Sequence, residues 1–85
     1  MSSDGNARAL GIVRRLLAER LAGRDDEPSI RKTQIDSLDL DSLTKLELIL
    51  ELEDAFAISL SEAKIAACRT IGDLLSLVEK ATAGR

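Results

Sequence analysis

The sequence lacks histidine, tryptophan and tyrosine, and it has one cysteine, one proline and one phenylalanine in 85 residues. Without histidine, neither a Ser-His-Asp nor a Cys-His catalytic arrangement can form, and the commonest general base is missing. A single cysteine also excludes an internal disulfide framework, and together with the missing histidine it excludes the usual zinc sites. We therefore expect a protein that is not an enzyme, has no metal centre and resides in a reducing, cytoplasmic environment.

Apolar residues make up 45% of the chain and aromatic residues only 1%, so the apolar part is mostly leucine, isoleucine, valine and alanine. This composition favours helices over a β-sandwich. No apolar run is long enough to span a membrane, and the polar segment 1–7 has no signal-peptide core. The chain is predicted to be a monomer with one domain at 7–82, a flexible N-terminal tail at 1–6 and a short C-terminal tail at 83–85.

The charges are distributed unevenly along the chain. Residues 1–35 carry seven basic and five acidic side chains, residues 36–62 carry one basic and eight acidic, and residues 63–85 carry four basic and two acidic. An acidic middle segment suggests a basic partner surface. It also argues against nucleic acid as a ligand, because phosphates would be repelled there.

Apolar spacing predicts an all-α, four-helix bundle made of three longer helices and one short one. The helices are expected at about 7–22, 42–55, 62–67 and 70–81. Asp41 is the expected N-cap of the second helix, and Thr70 with Asp73 forms a capping-box-like start to the last. In the second helix, one apolar side is expected to contain Leu46, Ile49, Leu50 and Phe56, with Leu48 and Leu52 extending the apolar surface.

The connection from Arg24 to Asp41 shows no sustained periodicity, and Pro28 biases Glu27 away from helix. A structureless connection of this length is unusual in a compact domain and is often functional. Either the segment is a long loop, or part of it is a short helical turn. Its scattered apolar residues would hold it against the core.

The junction before the second helix has the sequence LDLDSLTKLEL. Its Asp41-Ser42-Leu43 triplet, followed by Leu46-Glu47-Leu48, resembles the start of the second helix in the acyl carrier protein family. The segment 52–56 is similar to the family's continuation of that helix, and 70–74 is similar to the usual opening of its last helix. The resemblance covers roughly residues 8–82 and includes the helix order and the position of the motif.

The resemblance implies that Ser42 is the attachment site of 4′-phosphopantetheine, which a phosphopantetheinyl transferase adds and whose thiol carries acyl groups as thioesters. It implies partners that load, extend and transfer the acyl group in fatty-acid, polyketide or other specialised acyl-chain biosynthesis. Asp41, Leu43, Leu46 and Glu47 are the implied docking residues for these enzymes. On spacing alone, Ser42 would be only a helix cap.

Departures from the family pattern and rival interpretations remain. Asp39 stands where carrier proteins commonly have glycine, and Thr44 and Lys45 replace the acidic and small polar residues of fatty-acid carriers, which suggests a specialised pathway.

Alternative functions are an aminoacyl, D-alanyl or peptidyl carrier, or a small helical adaptor without a prosthetic group. The aspartates at 36, 39 and 41 match a calcium loop only in part. Ser37, in a second Asp-Ser-Leu triplet, is expected to lie in the loop.

Overall fold

The computed structural model describes residues 2–21, 23–24 and 26–83, with side chains described from residue 7 onward. This part of the chain is all-helical, as predicted, with five α-helices and one short 3-10 helix. The α-helices are α1 (Ser2–Leu16), α2 (Glu27–Lys32), α3 (Ser42–Phe56), α4 (Glu62–Ala67) and α5 (Ile71–Ala83), and the 3-10 helix spans Ile35–Leu38. None of the helices described is both long enough and apolar enough to cross a membrane.

Helix α1 begins five residues earlier than predicted and ends earlier as well. Residues 2–6, predicted to lie in an N-terminal tail, form the start of the helix. The prediction began at the first residue of the apolar stripe, but backbone hydrogen bonding extends through polar residues too. Regular helix stops at Leu16, and hydrogen-bonded turns continue through Leu21. The expected end at Ala22 lies outside the described residues.

The connection between α1 and α3 contains two short helical elements, which settles the alternative left open by the sequence. Asp26 caps α2 by accepting a hydrogen bond from the Ser29 N–H at 3.1 Å. The expectation for Glu27 was wrong, because it is the first residue of α2 and Pro28 occupies the first turn. Proline is tolerated there because the first turn needs no intrahelical N–H donor. Ile30 and Leu38 fasten the two short elements to the core.

Helix α3 follows the predicted course but buries a different face. Asp41 is the N-cap, as expected, and the helix ends at Phe56, where Ala57 takes a left-handed conformation with φ of 53°. The buried residues are Leu48, Leu52 and Phe56. Leu46 and Leu50 were predicted to share one apolar side of the helix with Phe56, but both are more than half exposed and Phe56 is buried.

The short helix α4 matches its predicted bounds, and α5 begins with the predicted reciprocal cap. The Asp73 N–H donates to the Thr70 hydroxyl at 3.1 Å, and the Asp73 carboxylate accepts from the N–H groups of Arg69 and Thr70 at 3.0 and 3.2 Å. These hydrogen bonds lower the pKa of Asp73. The helix continues to Ala83, two residues beyond its predicted end at about residue 81.

The connection is tied directly to the start of α5. The Ile71 N–H donates to the Thr33 carbonyl at 3.0 Å, and the Ile35 N–H donates to the Arg69 carbonyl at 2.8 Å. Gly72 permits this close approach, because a Cβ at that position would lie 3.0 Å from the Arg31 carbonyl oxygen. The core between the helices is aliphatic apart from Phe56, whose ring lies 5.1 Å from the Arg8 guanidinium.

Candidate functional site

The start of α3 is fixed by the Asp41 side chain. Its carboxylate accepts a hydrogen bond from the Thr44 backbone N–H at 2.8 Å. Hydrogen bonding from Thr44, through its hydroxyl and its backbone N–H, lowers the pKa of Asp41, and the nearby charge of Arg20 acts in the same direction. The carboxylate therefore stays ionised and caps the helix over a wide pH range.

Ser42 is the first residue of α3, and its side chain is exposed. Among the described residues, neither its hydroxyl nor the backbone N–H groups of Ser42 and Leu43 have a hydrogen-bond partner. The first N–H groups of a helix have no intrahelical acceptor, and they lie at the positive end of the helix dipole. An accessible hydroxyl thus adjoins backbone donors suited to an anion, which fits attachment of a phosphodiester.

Ser37 lies in a different environment, although its neighbours in sequence are the same. Its hydroxyl donates to the carbonyl of Gln34, the residue just before the 3-10 helix, at 2.7 Å. The leucine that follows, Leu38, is buried. The expectation that Ser37 lies in a loop was wrong in detail, because the residue belongs to the 3-10 helix, and its hydroxyl is already engaged by the backbone.

A cleft of about 450 Å³ opens beside Ser42 and extends between α3, α4, α5 and the connection. Its wall is mostly apolar, and its polar lining groups come from four side chains. The apolar lining residues are Ile35, Leu40, Leu46, Leu48, Ile49, Ile65, Ala66, Cys68, Ile71 and Leu74; the polar ones are Asp36, Ser42, Lys45 and Glu62. The volume falls within the range of small-molecule pockets. Sequence reasoning missed this cleft, and the only signal for it was the scattered apolar residues of the connection.

Three leucines form an exposed apolar stripe along α3. Leu43, Leu46 and Leu50 are 66%, 52% and 54% exposed. Leu43 was expected to be exposed, and this is confirmed. Leu50 was not among the expected docking residues. Its position one turn beyond Leu46, on the same predicted apolar side of the helix, was the available signal.

The acidic side chains of α3 divide into engaged and available groups. Glu51 forms an ion pair with Arg15 at 2.7 Å, and Glu53 accepts a hydrogen bond from the Leu60 N–H at 2.7 Å. Glu47 and Asp54 are exposed and have no ion-pair partner in the described part of the chain. Glu47 is therefore the acidic group that stands free beside Leu43 and Leu46.

Cys68 is half-buried and lines the cleft. Its thiol donates to the Lys64 carbonyl at 3.4 Å, and burial raises the pKa of the thiol, with the charge of Asp73 acting in the same direction. Cys68 is thus a protonated, apolar part of the wall. Within the described ranges, no three acidic, histidine or cysteine side chains lie close enough together to hold a metal ion.

The comparisons with known proteins agree with this geometry. The family model described as "Phosphopantetheine attachment site" matches residues 11–78. The acyl carrier protein of Exiguobacterium sibiricum is 34% identical, over 79% of this chain and 85% of the relative. That of Rhodococcus erythropolis is 29% identical, over 75% and 71%. The meromycolate extension acyl carrier protein of Mycolicibacterium aurum is 32% identical, over 64% of this chain and 56% of the relative. No solved structure matches the chain at a significant level.

A helical bundle with an exposed serine at a helix start, matched over this length by that family model, defines a class of carrier with a covalent prosthetic arm. The chain belongs to the acyl carrier protein family. Its role is to carry acyl groups, and its prosthetic group is covalent 4′-phosphopantetheine.

Proposed function

We propose that Ser42 is the attachment residue and that the chain acts as a carrier without catalysing a reaction itself. The observation that supports this most strongly is the exposed, unengaged Ser42 hydroxyl at the start of α3, next to the apolar cleft. When bound, the prosthetic group supplies a terminal thiol that holds the acyl group as a thioester. The Ser42 and Leu43 N–H groups stabilise the phosphodiester charge.

The cleft supports an apolar acyl chain as cargo. Its wall is built mainly from leucine and isoleucine side chains of α3, α4, α5 and the connection. Entry of an alkyl chain would release the water ordered against these side chains. An aminoacyl group, which carries an ammonium charge, would lose hydration in the same place. We therefore favour an aliphatic acyl carrier over an aminoacyl or peptidyl carrier.

The surface formed by Asp41, Leu43, Leu46 and Glu47 is proposed as the docking site for the transferase and the acyl-processing enzymes. Leu43 and Leu46 offer exposed apolar area that a partner can bury. Glu47 stands free of any ion pair in the described part and offers a charge to a basic partner. The partner should therefore present an apolar pocket bordered by arginine or lysine.

The attachment is tested by incubating the purified chain with coenzyme A and a promiscuous phosphopantetheinyl transferase, followed by intact-mass measurement and peptide mapping. We expect a single 4′-phosphopantetheine on the peptide that contains Ser42. A chain that never gains this mass would contradict the proposal.

Docking is tested separately by the rate of loading. Glu47→Lys should slow loading, and rising salt should slow loading of the wild type, because both weaken attraction to a basic partner. Asp54→Lys makes the same charge change seven residues further along α3, about 10 Å away. As the matched control, it should slow loading less than Glu47→Lys does. Equal rates for the wild type and Glu47→Lys would remove Glu47 from the docking surface.

A further inference from the structure

We propose that Lys45 is a positioning residue that binds the phosphodiester of the prosthetic arm and so holds the arm at the mouth of the cleft. This inference rests on the proposed attachment at Ser42.

The first support is the isolation of this positive charge. Lys45 is the one basic residue between positions 36 and 62, where eight side chains are acidic. In α3 it follows Ser42 by three residues, a separation that makes two side chains neighbours on a helix surface. Both residues line the cleft. A long lysine side chain at this position is therefore within reach of a group attached to Ser42.

The second support is that the Lys45 ammonium group has no other partner in the described structure. The ion pairs found there join Arg15 to Glu51 and Arg31 to Glu27. Asp36 and Glu62 line the same cleft but form no ion pair with Lys45. The side chain is exposed, so it can bind an anion without first losing a contact.

The third support is the repulsion that the attached phosphodiester meets at this site. Asp41, adjacent to Ser42, is held ionised by its hydrogen bonds with Thr44. A phosphodiester on Ser42 would place a second negative charge next to that carboxylate. The α3 backbone donors offset part of this repulsion, and Lys45 supplies the full positive charge that the segment otherwise lacks.

The location of Lys45 also determines on which side of α3 the attached end of the arm lies. Because Lys45 lines the cleft, binding the phosphodiester there keeps the attached end of the arm on the side of α3 where the cleft opens. Loss of the contact should leave the arm attached but free to sample the solvent side.

The experiment is ³¹P NMR of the loaded protein, which observes the phosphodiester directly. Loaded wild type, Lys45→Gln and Lys45→Arg are compared with Lys64→Gln, which removes an exposed charge from α4 outside this cleft. We expect Lys45→Gln to move the phosphodiester resonance and narrow it as the arm becomes more mobile. Lys45→Arg should restore much of the wild-type resonance, and Lys64→Gln should leave it unchanged.

Two further measurements vary the salt concentration and replace Arg20, a basic residue whose charge acts on Asp41. Raising salt from about 0.01 to about 1 M shortens the Debye length from about 30 to about 3 Å, and this should move the wild-type resonance toward that of Lys45→Gln, which itself should barely respond. A wild-type resonance that is insensitive to salt and identical to that of Lys45→Gln would overturn the inference. A shift reproduced by Arg20→Gln and not by Lys45→Gln would assign the contact to Arg20 instead. A chain that is not loaded at all contradicts the attachment proposal, whereas a loaded chain with an unchanged resonance contradicts only the role of Lys45.

Discussion

The chain contains the triplet Asp-Ser-Leu twice, at 36–38 and at 41–43, and the structure gives the two copies opposite environments. In the first, the serine hydroxyl is bonded to the backbone and Leu38 is 4% exposed. In the second, the serine hydroxyl is unengaged within the described structure and Leu43 is 66% exposed. The same three letters therefore contribute to the core in one place and to an exposed surface in the other, because backbone conformation decides which way the side chains point.

The largest expected difference concerns the serines. Ser42→Ala should abolish the mass increment on loading, since it removes the proposed acceptor hydroxyl, while circular dichroism should show that the helices persist. Ser37→Ala should load at the wild-type rate. Modification that persists in Ser42→Ala and disappears in Ser37→Ala would reverse the assignment of the two triplets.

The leucines should differ strongly in stability. Leu38→Ala is expected to lower the free energy of unfolding by about 2–4 kcal/mol, because it removes a buried side chain and leaves a cavity. Leu43→Ala should change it by no more than about 0.5 kcal/mol, as is usual for an exposed position, while slowing transferase loading. Denaturant titration measures the first effect and loading kinetics the second. Similar stability losses for both variants would show that Leu43 is part of the core.

The aspartates should differ in how their contribution depends on pH. The pKa of Asp41 lies below its ordinary value of 3.8, so its contribution to stability is present above that pH and is lost as pH falls through the lowered pKa. Asp41→Ala should therefore be less stable than the wild type at neutral pH, and this difference should shrink below about pH 3.8. Asp36→Ala should change stability little at neutral pH, because no hydrogen bond to its side chain is found in the described part. Thermal unfolding across this pH range tests both expectations.

The smallest expected effect comes from Asp39, which lies between the two triplets together with Leu40. It adopts a left-handed conformation with φ of 53° and ψ of 47° and forms the C-cap of the 3-10 helix. Asp39→Gly should stabilise the fold by about 0.5 kcal/mol, since glycine adopts this conformation without strain but gains freedom in the unfolded chain. Ala57 has the same dihedral angles at the end of α3, so Ala57→Gly is the matched variant. A loss of stability in both would show that this conformation costs little here.

Sequence reasoning succeeded where a side chain acts on its own neighbours along the chain. The Asp41 cap and the reciprocal Thr70 and Asp73 cap depend on short-range hydrogen bonds, and the structure contains them. The resemblance had led us to expect glycine at position 39, and Asp39 does adopt a left-handed conformation that glycine takes without strain.

Sequence reasoning failed where the outcome depends on packing between distant segments. Helix α3 has leucine or isoleucine on nearly every side, so periodicity could not decide that Leu48 and Leu52 face the core while Leu46 and Leu50 face outward. The helices at 27–32 and 35–38 are too short to show a periodic stripe. The cleft forms only where α3, α4, α5 and the connection meet. No local sequence pattern predicts that these four segments come together.

The hydrogen bonds that join the connection to the start of α5 have a kinetic consequence. Thr33 and Ile71 are far apart in sequence, so their contact closes a long loop, and its entropic cost must be met before the contact forms. We expect the long helices to form first and this junction to dock late in folding, with φ-values near zero. In native-state hydrogen exchange the Ile35 and Ile71 amides should exchange together, because both of their hydrogen bonds belong to this junction. Because Ile35 and Ile71 both line the cleft, its wall would open in the same step.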